Sequence, residues 1–216
     1  MELRAPRLLR ALVLLTAVVA VLAVLFQVVY RPWQRNSGST EQEVNRRMPG
    51  DEIISTPTFI ATRAVTIRGR PETIWPWIVQ IGYKRAGFYS WDRLDNDGIP
   101  SAERILPEFQ NLAAGDKIPL SEKEDAEVRE LTPNRSFLLV YGHDLESEAV
   151  TWAWGLYPLD REHTRLVTRL RWRPRGRFAP LFLDAVEIVM MRKCLLGIKE
   201  RVEAATPTPR PLPSSR

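Results

Sequence analysis

The chain is poor in the residues that most often carry chemistry. Of its 216 residues, one is cysteine and two are histidine. A single cysteine, Cys194, excludes an internal disulfide and leaves no Cys-x-x-Cys pair for a metal. It sits in a helical run, Met190 to Leu196, and reads as a small buried hydrophobe rather than a reactive thiol. No phosphate loop, Gly-x-Ser-x-Gly elbow or zinc spacing occurs. Asp95-Asn96-Asp97-Gly98 echoes the start of a calcium loop, but the closing glutamate position holds Leu106, which excludes that site. His143 and His163 fall at strand ends and read as loop or surface residues. His143-Asp144 makes a poor acid–base pair, because neighbours in an extended chain point to opposite faces. No metal and no cofactor are expected.

What the chain does have is a long apolar run. Residues 11–30 carry no charge, and at about 1.5 Å per residue they span about 30 Å, the thickness of a hydrocarbon core. Arg4, Arg7 and Arg10 precede the run; Tyr30 and Trp33 suit the interface that follows it. The run is long for a signal peptide and no small-x-small cleavage site follows it, so an uncleaved anchor is expected in a bacterial plasma membrane. Arg31 and Arg35 nearly balance the arginines before the run. The N-terminal cluster tips the orientation toward an extracytoplasmic domain.

The chain divides into a basic N-terminus (1–10), the membrane helix (11–30), a polar linker (31–55), a folded domain (56–205) and a proline-rich tail (206–216). In the linker, Ser37-Gly38-Ser39-Thr40 reads as flexible and Met48-Pro49-Gly50-Asp51 as a turn. The domain opens on an alternating strand, residues 61–68, with Arg63, Val65 and Ile67 on one face. Pro71 suits the first position of the helix that follows, and Ile74, Trp77, Ile78 and Ile81 form its apolar stripe. Pro76 is expected to kink it or leave its first turn irregular, and Gly82 to stop it. Residues 101–110 read as a short helix capped by Ser101. Strands are expected at 117–120, 126–131, 136–142, 149–158 and 163–173, joined by short loops and so antiparallel. Residues 179–205 form a long helix whose stripe is Ile188, Met191, Leu195, Ile198 and Val202.

The stretches ATRAVTIRGRPETIWPWIVQIG (61–82), RAGFYSWD (85–92) and SAERILPE (101–108) resemble the START-like, helix-grip superfamily grouped with polyketide cyclase/dehydrase proteins (SRPBCC). The resemblance covers roughly residues 48 to 203, and no particular activity comes with it. It implies an α+β fold in which a curved antiparallel sheet wraps the last helix and leaves a cavity between them.

Such a cavity would be lined by Trp152 and Trp154, by Leu166, Thr168, Leu170 and Trp172, and by Ile188 and Met191. Tyr89, Trp91 and Tyr141 would add to the lining, the tyrosines as polar anchors. Filling of the core is the alternative use of the same aromatics. Arg165, Arg169, Arg171 and Arg173 lie on the opposite face of their strand. They read either as a solvated face or as a surface for anionic lipid. The net charge of +5 is tied to no nucleic-acid motif, so none is expected to bind. Glu103, Arg104 and Glu108 would edge the cavity mouth or pair at the surface.

The leading expectation is a membrane-anchored protein holding an apolar small molecule or lipid. A cyclase- or dehydrase-like enzyme using Tyr89, Asp92 and His143 is one alternative. A binding module with a vestigial pocket, meeting partners through its tail and arginine face, is the other.

Overall fold

In a computed structural model, residues 5–144, 148–173 and 179–205 are described. The proline-rich tail and Arg175 and Arg177 lie outside them. The first helix, α1 (Ala5–Leu25), continues through a π-helical turn (Phe26–Tyr30) into α2 (Arg31–Arg35). The segment Leu9–Arg35 is long and apolar enough to cross a membrane, and its central window touches nothing else in the protein.

The residues expected to form an open linker are folded instead. Helix α3 (Glu41–Asn45) starts with a capping box: Glu43 N donates to Thr40 Oγ1, and Thr40 N donates to Glu43 Oε2. The expected turn is present, with Asp51 N donating to the Met48 carbonyl.

Strand β1 (Phe59–Arg68) leads into α4 (Pro71–Val79) and a single helical turn, α5 (Asp92–Asp95). Helix α4 has Pro71 in its first turn, runs through Pro76 and ends before Gly82. Its stripe, Ile74, Trp77, Ile78 and Ile81, is buried as expected. A 3₁₀ turn (Pro107–Phe109) is all that forms of the helix expected at 101–110. Ser101 does not cap it, because its hydroxyl accepts from Tyr89 N and donates to Asp92 Oδ1. Pro107 in turn holds Leu106 in an extended conformation.

The remaining strands are β2 (Lys117–Pro119), β3 (Asp125–Thr132), β4 (Ser136–Asp144), β5 (Glu148–Pro158) and β6 (His163–Trp172). They form one antiparallel sheet in the order β1-β6-β5-β4-β3-β2. Helix α6 (Ala179–Ala205) lies across it, and its predicted stripe is buried. Ile67, Phe137, Leu139, Trp152, Trp154 and Leu166 of the inner sheet face pack with Met191, Leu195, Ile198 and Val202 of α6 into one core.

β1 is an edge strand, and unpaired edges invite aggregation. Here the edge is covered. The Thr62 carbonyl accepts from Ser39 Oγ, the Thr66 carbonyl accepts from Lys199 Nζ, and Arg68 N donates to Glu203 Oε1. Gly38 fits this path because a β-carbon there would meet the Ala64 carbonyl oxygen at 2.2 Å.

The outer sheet face corrects the reading of its arginines. Arg169, only 4% exposed, bonds through all three of its nitrogens. Its Nε donates to Thr62 Oγ1, Nη1 to the Arg46 carbonyl and Asp51, and Nη2 to the Glu43 and Val44 carbonyls. Arg165 holds Glu43 from Nε and Nη2, at 2.8 and 2.7 Å. Arg171 reaches Asp51 and the Ile54 carbonyl, and Arg173 reaches Thr56. These side chains serve the linker rather than a lipid surface. A guanidinium carries five donors, and a nearby strip of carboxylates and carbonyls meets them better than intermittent headgroups do.

Replacing Arg169 by methionine leaves three carbonyls without their buried donor and Asp51 with Arg171 alone. The full chain in detergent is expected to lose about 3–5 kcal/mol of unfolding free energy, read from urea titration of tryptophan fluorescence. Burial pushes the Glu43 pKa up, but the bonds from Arg165 and Thr40 outweigh that and hold it below its ordinary 4.5. A lowered carboxylate pKa stabilises the fold above the unfolded value, and the gain is lost as pH falls through the folded value. Stability is therefore expected to drop as pH falls below 4.5, and Glu43→Gln to flatten that part of the pH–stability curve.

Candidate functional site

The motif segments meet on the side of α6 away from the sheet, at a cleft of about 640 Å³. Trp77, Tyr89, Ser90, Asp92 and Ser101 form one wall, and Lys193, Gly197, Glu200 and Arg201 of α6 form the other. Tyr89 adopts a left-handed backbone, φ 57°, which turns its ring inward beneath Trp77, with ring centroids 5.9 Å apart. Its hydroxyl donates to the Trp77 carbonyl and accepts from Gln80 Nε2. Burial raises its pKa, so it stays a neutral phenol.

Arg201 stacks 4.8 Å over the Tyr89 ring and donates to the Ala102 and Gly197 carbonyls. Asp95, behind the cleft, has its pKa raised by burial and then by the neighbouring Asp92 charge. Ser101 sits on Asp92 at 2.5 Å. The cleft walls are thus braced by internal hydrogen bonds.

The second place of interest is the inner sheet face. Trp152, Trp154, Leu166 and Thr168 are buried there, with Ile188 and Met191 of α6 also buried. Trp152 stacks on Phe88, and Trp152 and Trp154 lie 5.0 Å apart. Beyond them Tyr141, Leu170 and Trp172 are only half-buried. Burial, then the charges of Glu124 and Glu187, raises the Tyr141 pKa and keeps that phenol neutral.

Between the filled and the half-buried parts lies an ion pair that sequence reasoning missed. Arg63 of β1, 2% exposed, donates from Nη1 to Glu187 of α6. Its signal was an arginine sharing a strand face with Val65 and Ile67. Glu187 gave less signal, because it flanks the apolar stripe of α6.

Trp91, expected in the cavity, is corrected. It is 47% exposed, outside the grip, with Lys193 5.3 Å above its ring. Tyr89 lines the outer cleft instead of the interior. Trp77, part of the apolar stripe of α4, lines that cleft too. Glu103 stands on the cleft rim, while Arg104 and Glu108 are exposed. His143 is near the end of β4, and its side chain lies outside the described residues. His163 is the first residue of β6, with its Nδ1 on Asp160 of the preceding turn at 3.0 Å. Cys194 is buried, which raises its pKa and leaves it a protonated thiol.

A six-stranded antiparallel sheet gripping a long C-terminal helix, with the small helices between the first and second strands, defines a START-like helix-grip fold. No protein-family model matches the chain, and no curated protein matches it in sequence. Solved structures are similar to it. A START superfamily protein from Mycobacterium smegmatis is 14% identical, over 68% of this chain and 99% of that one, with a TM-score of 0.41. A Mesorhizobium loti protein is 15% identical, over 67% and 98%, with a TM-score of 0.41. A Thermobifida fusca protein is 11% identical, over 67% and 93%, with a TM-score of 0.47.

Gly197 tests the cleft's packing. A β-carbon there would come within 2.3 Å of the Tyr89 carbonyl oxygen. Helix propensity favours alanine by about 1 kcal/mol, so a net loss isolates the clash. Gly197→Ala is expected to destabilise by about 1–2 kcal/mol in chemical denaturation.

Proposed function

We propose that this protein is anchored in a membrane by its N-terminal helix and holds an apolar small molecule or lipid between the sheet and α6. One observation carries the reading. The inner face is buried along most of its length and then opens onto the half-buried Tyr141, Leu170 and Trp172. Apolar side chains left half-covered inside a concave face are the lining of a ligand site more readily than a finished core.

The position of the opening supports it. Trp172 pairs with Phe59, and the Arg35 guanidinium of α2 sits 4.8 Å over the Phe59 ring. The open end of the grip is therefore the end at which the apolar helix joins the domain, so a ligand from the bilayer has a short path to it.

Cyclase- or dehydrase-like chemistry has no comparable support. Tyr89 and Asp92 hydrogen-bond within the scaffold on the other side of α6, and His143 belongs to a distant strand end.

The test is native mass spectrometry of the full chain released from detergent micelles after extraction from its host membrane. One apolar molecule per chain is expected on the wild type. Leu170→Trp, which adds bulk at the open end, is expected to abolish it. A wild-type chain that never carries an adduct, or a variant that carries it equally, refutes the reading.

A further inference from the structure

Two arginines of this protein are almost equally buried and treated very differently. Arg169 bonds through every nitrogen of its guanidinium. Arg63, on the opposite sheet face, has a partner only at Nη1, which donates to Glu187. Its Nε and Nη2 are buried and have no hydrogen-bond partner. Those two nitrogens form one edge of the guanidinium, the side-on fork that fits two oxygens at once. Buried donors are nearly always met, and a buried unmet donor costs about 1–3 kcal/mol, more when charged.

A second unmet donor shares the row. Arg63 pairs with Thr168, and Thr168 with Trp154, so the three lie side by side across the inner face. Trp154 Nε1 is buried without a partner. Thr168, between them, is fully engaged: it accepts from Trp152 Nε1 and donates to the Ala153 carbonyl. The unmet groups of Arg63 and Trp154 are all donors, so what they lack is an acceptor. The half-buried Leu170, Tyr141 and Trp172 lie on the same face, toward the open end.

We infer that Arg63 is the head-group receptor of the grip, and that the ligand is an apolar molecule ending in a carboxylate. This rests on the ligand-binding reading above. The carboxylate meets the Nε–Nη2 edge of Arg63, while Glu187 on Nη1 fixes the plane of the guanidinium. The molecule enters head first, and its tail runs past Leu170 and Trp172 toward the end where the membrane helix joins. The guanidinium holds one carboxylate on each of two edges, a geometry that an ammonium cannot supply.

The experiment is a competition. Full-length chain in detergent is mixed with equal amounts of dodecanoate and its methyl ester, and the two adducts are compared by native mass spectrometry. The wild type is expected to favour the acid by about tenfold or more, the effect of one charge-assisted bidentate contact. Arg63→Leu alone would take from Glu187 its ion-pair partner on β1, so the informative variant is the double Arg63→Leu/Glu187→Leu, which removes both charges and keeps an apolar interior. It is expected to retain the ester adduct and bring the ratio of acid to ester to about one. Partition into micelles is common to both proteins and cancels. Equal adducts on the wild type, or an unchanged preference in the double variant, overturn the assignment of Arg63 and leave the apolar site standing. Neither adduct on the wild type overturns both.

Discussion

A guanidinium held against a sheet face must find acceptors for its donors, and Arg169 imposes that condition on much of this protein. Its partners come from Thr62 in the neighbouring strand and from the backbone and side chains of residues 43–51. Meeting them draws the polar stretch after the apolar helix onto the outer face. Arg165 and Arg171 extend the same clamp through Glu43 and Asp51. Met48 then packs against Ala64, Leu138, Val140, Ala153 and Val167, giving that face a small apolar core of its own. The sheet is thus covered on both sides, by α6 within and by the N-terminal segment without.

This clamp also determines how the apolar helix relates to the domain. Had the linker been free, the domain would sample many orientations at the end of a tether. Instead α2 ends with Gln34 buried, Arg35 over Phe59, and Ser39 on the free edge of β1. The helix and the start of β1 form one unit, and the open end of the grip belongs to it. The end of the sheet that is least filled and the end nearest the apolar helix are set together by the same few contacts.

The periodic elements were legible in the sequence because burial on one face leaves a period. The alternation of residues 61–68 and the stripe of α6 recur in the structure, and Ala179–Ala205 forms over the range read from sequence. The expected helix at 101–110 failed for a reason no local pattern reveals: Ser101 is claimed by Tyr89 and Asp92, which are distant in the fold's wiring rather than in its periodicity. The linker failed differently. Serine, glycine, glutamate and aspartate look alike whether they face water or face arginines. Only the pairing of residues 43 and 51 with strand β6 separates the two cases. Of the candidate site, the aromatic rows of β5 and β6 were legible. The Arg63–Glu187 pair was not, since it joins residues far apart in sequence and one of them lies beside its helix's stripe.

Most of the residues in the segments that carry the resemblance are scaffold, which explains why they point to a fold and name no ligand. Gln80, fully buried at the end of α4, shows it best. Its Nε2 donates to the Tyr89 hydroxyl and the Arg104 carbonyl, and its Oε1 accepts from Leu106 N and Gln110 Nε2. One amide therefore ties together the helix after β1, the turn at Tyr89 and the segment from 104 to 110. Ala102 N on the Ala86 carbonyl and Arg201 on the Ala102 carbonyl complete the tie to α6. A buried polar network of this kind is costly unless every member is met, so it constrains residue identity tightly without touching any ligand. On the reading proposed above, ligand choice falls to the half-buried side chains Tyr141, Leu170 and Trp172 and to Arg63, which stands within the first of those segments with one edge of its guanidinium unmet.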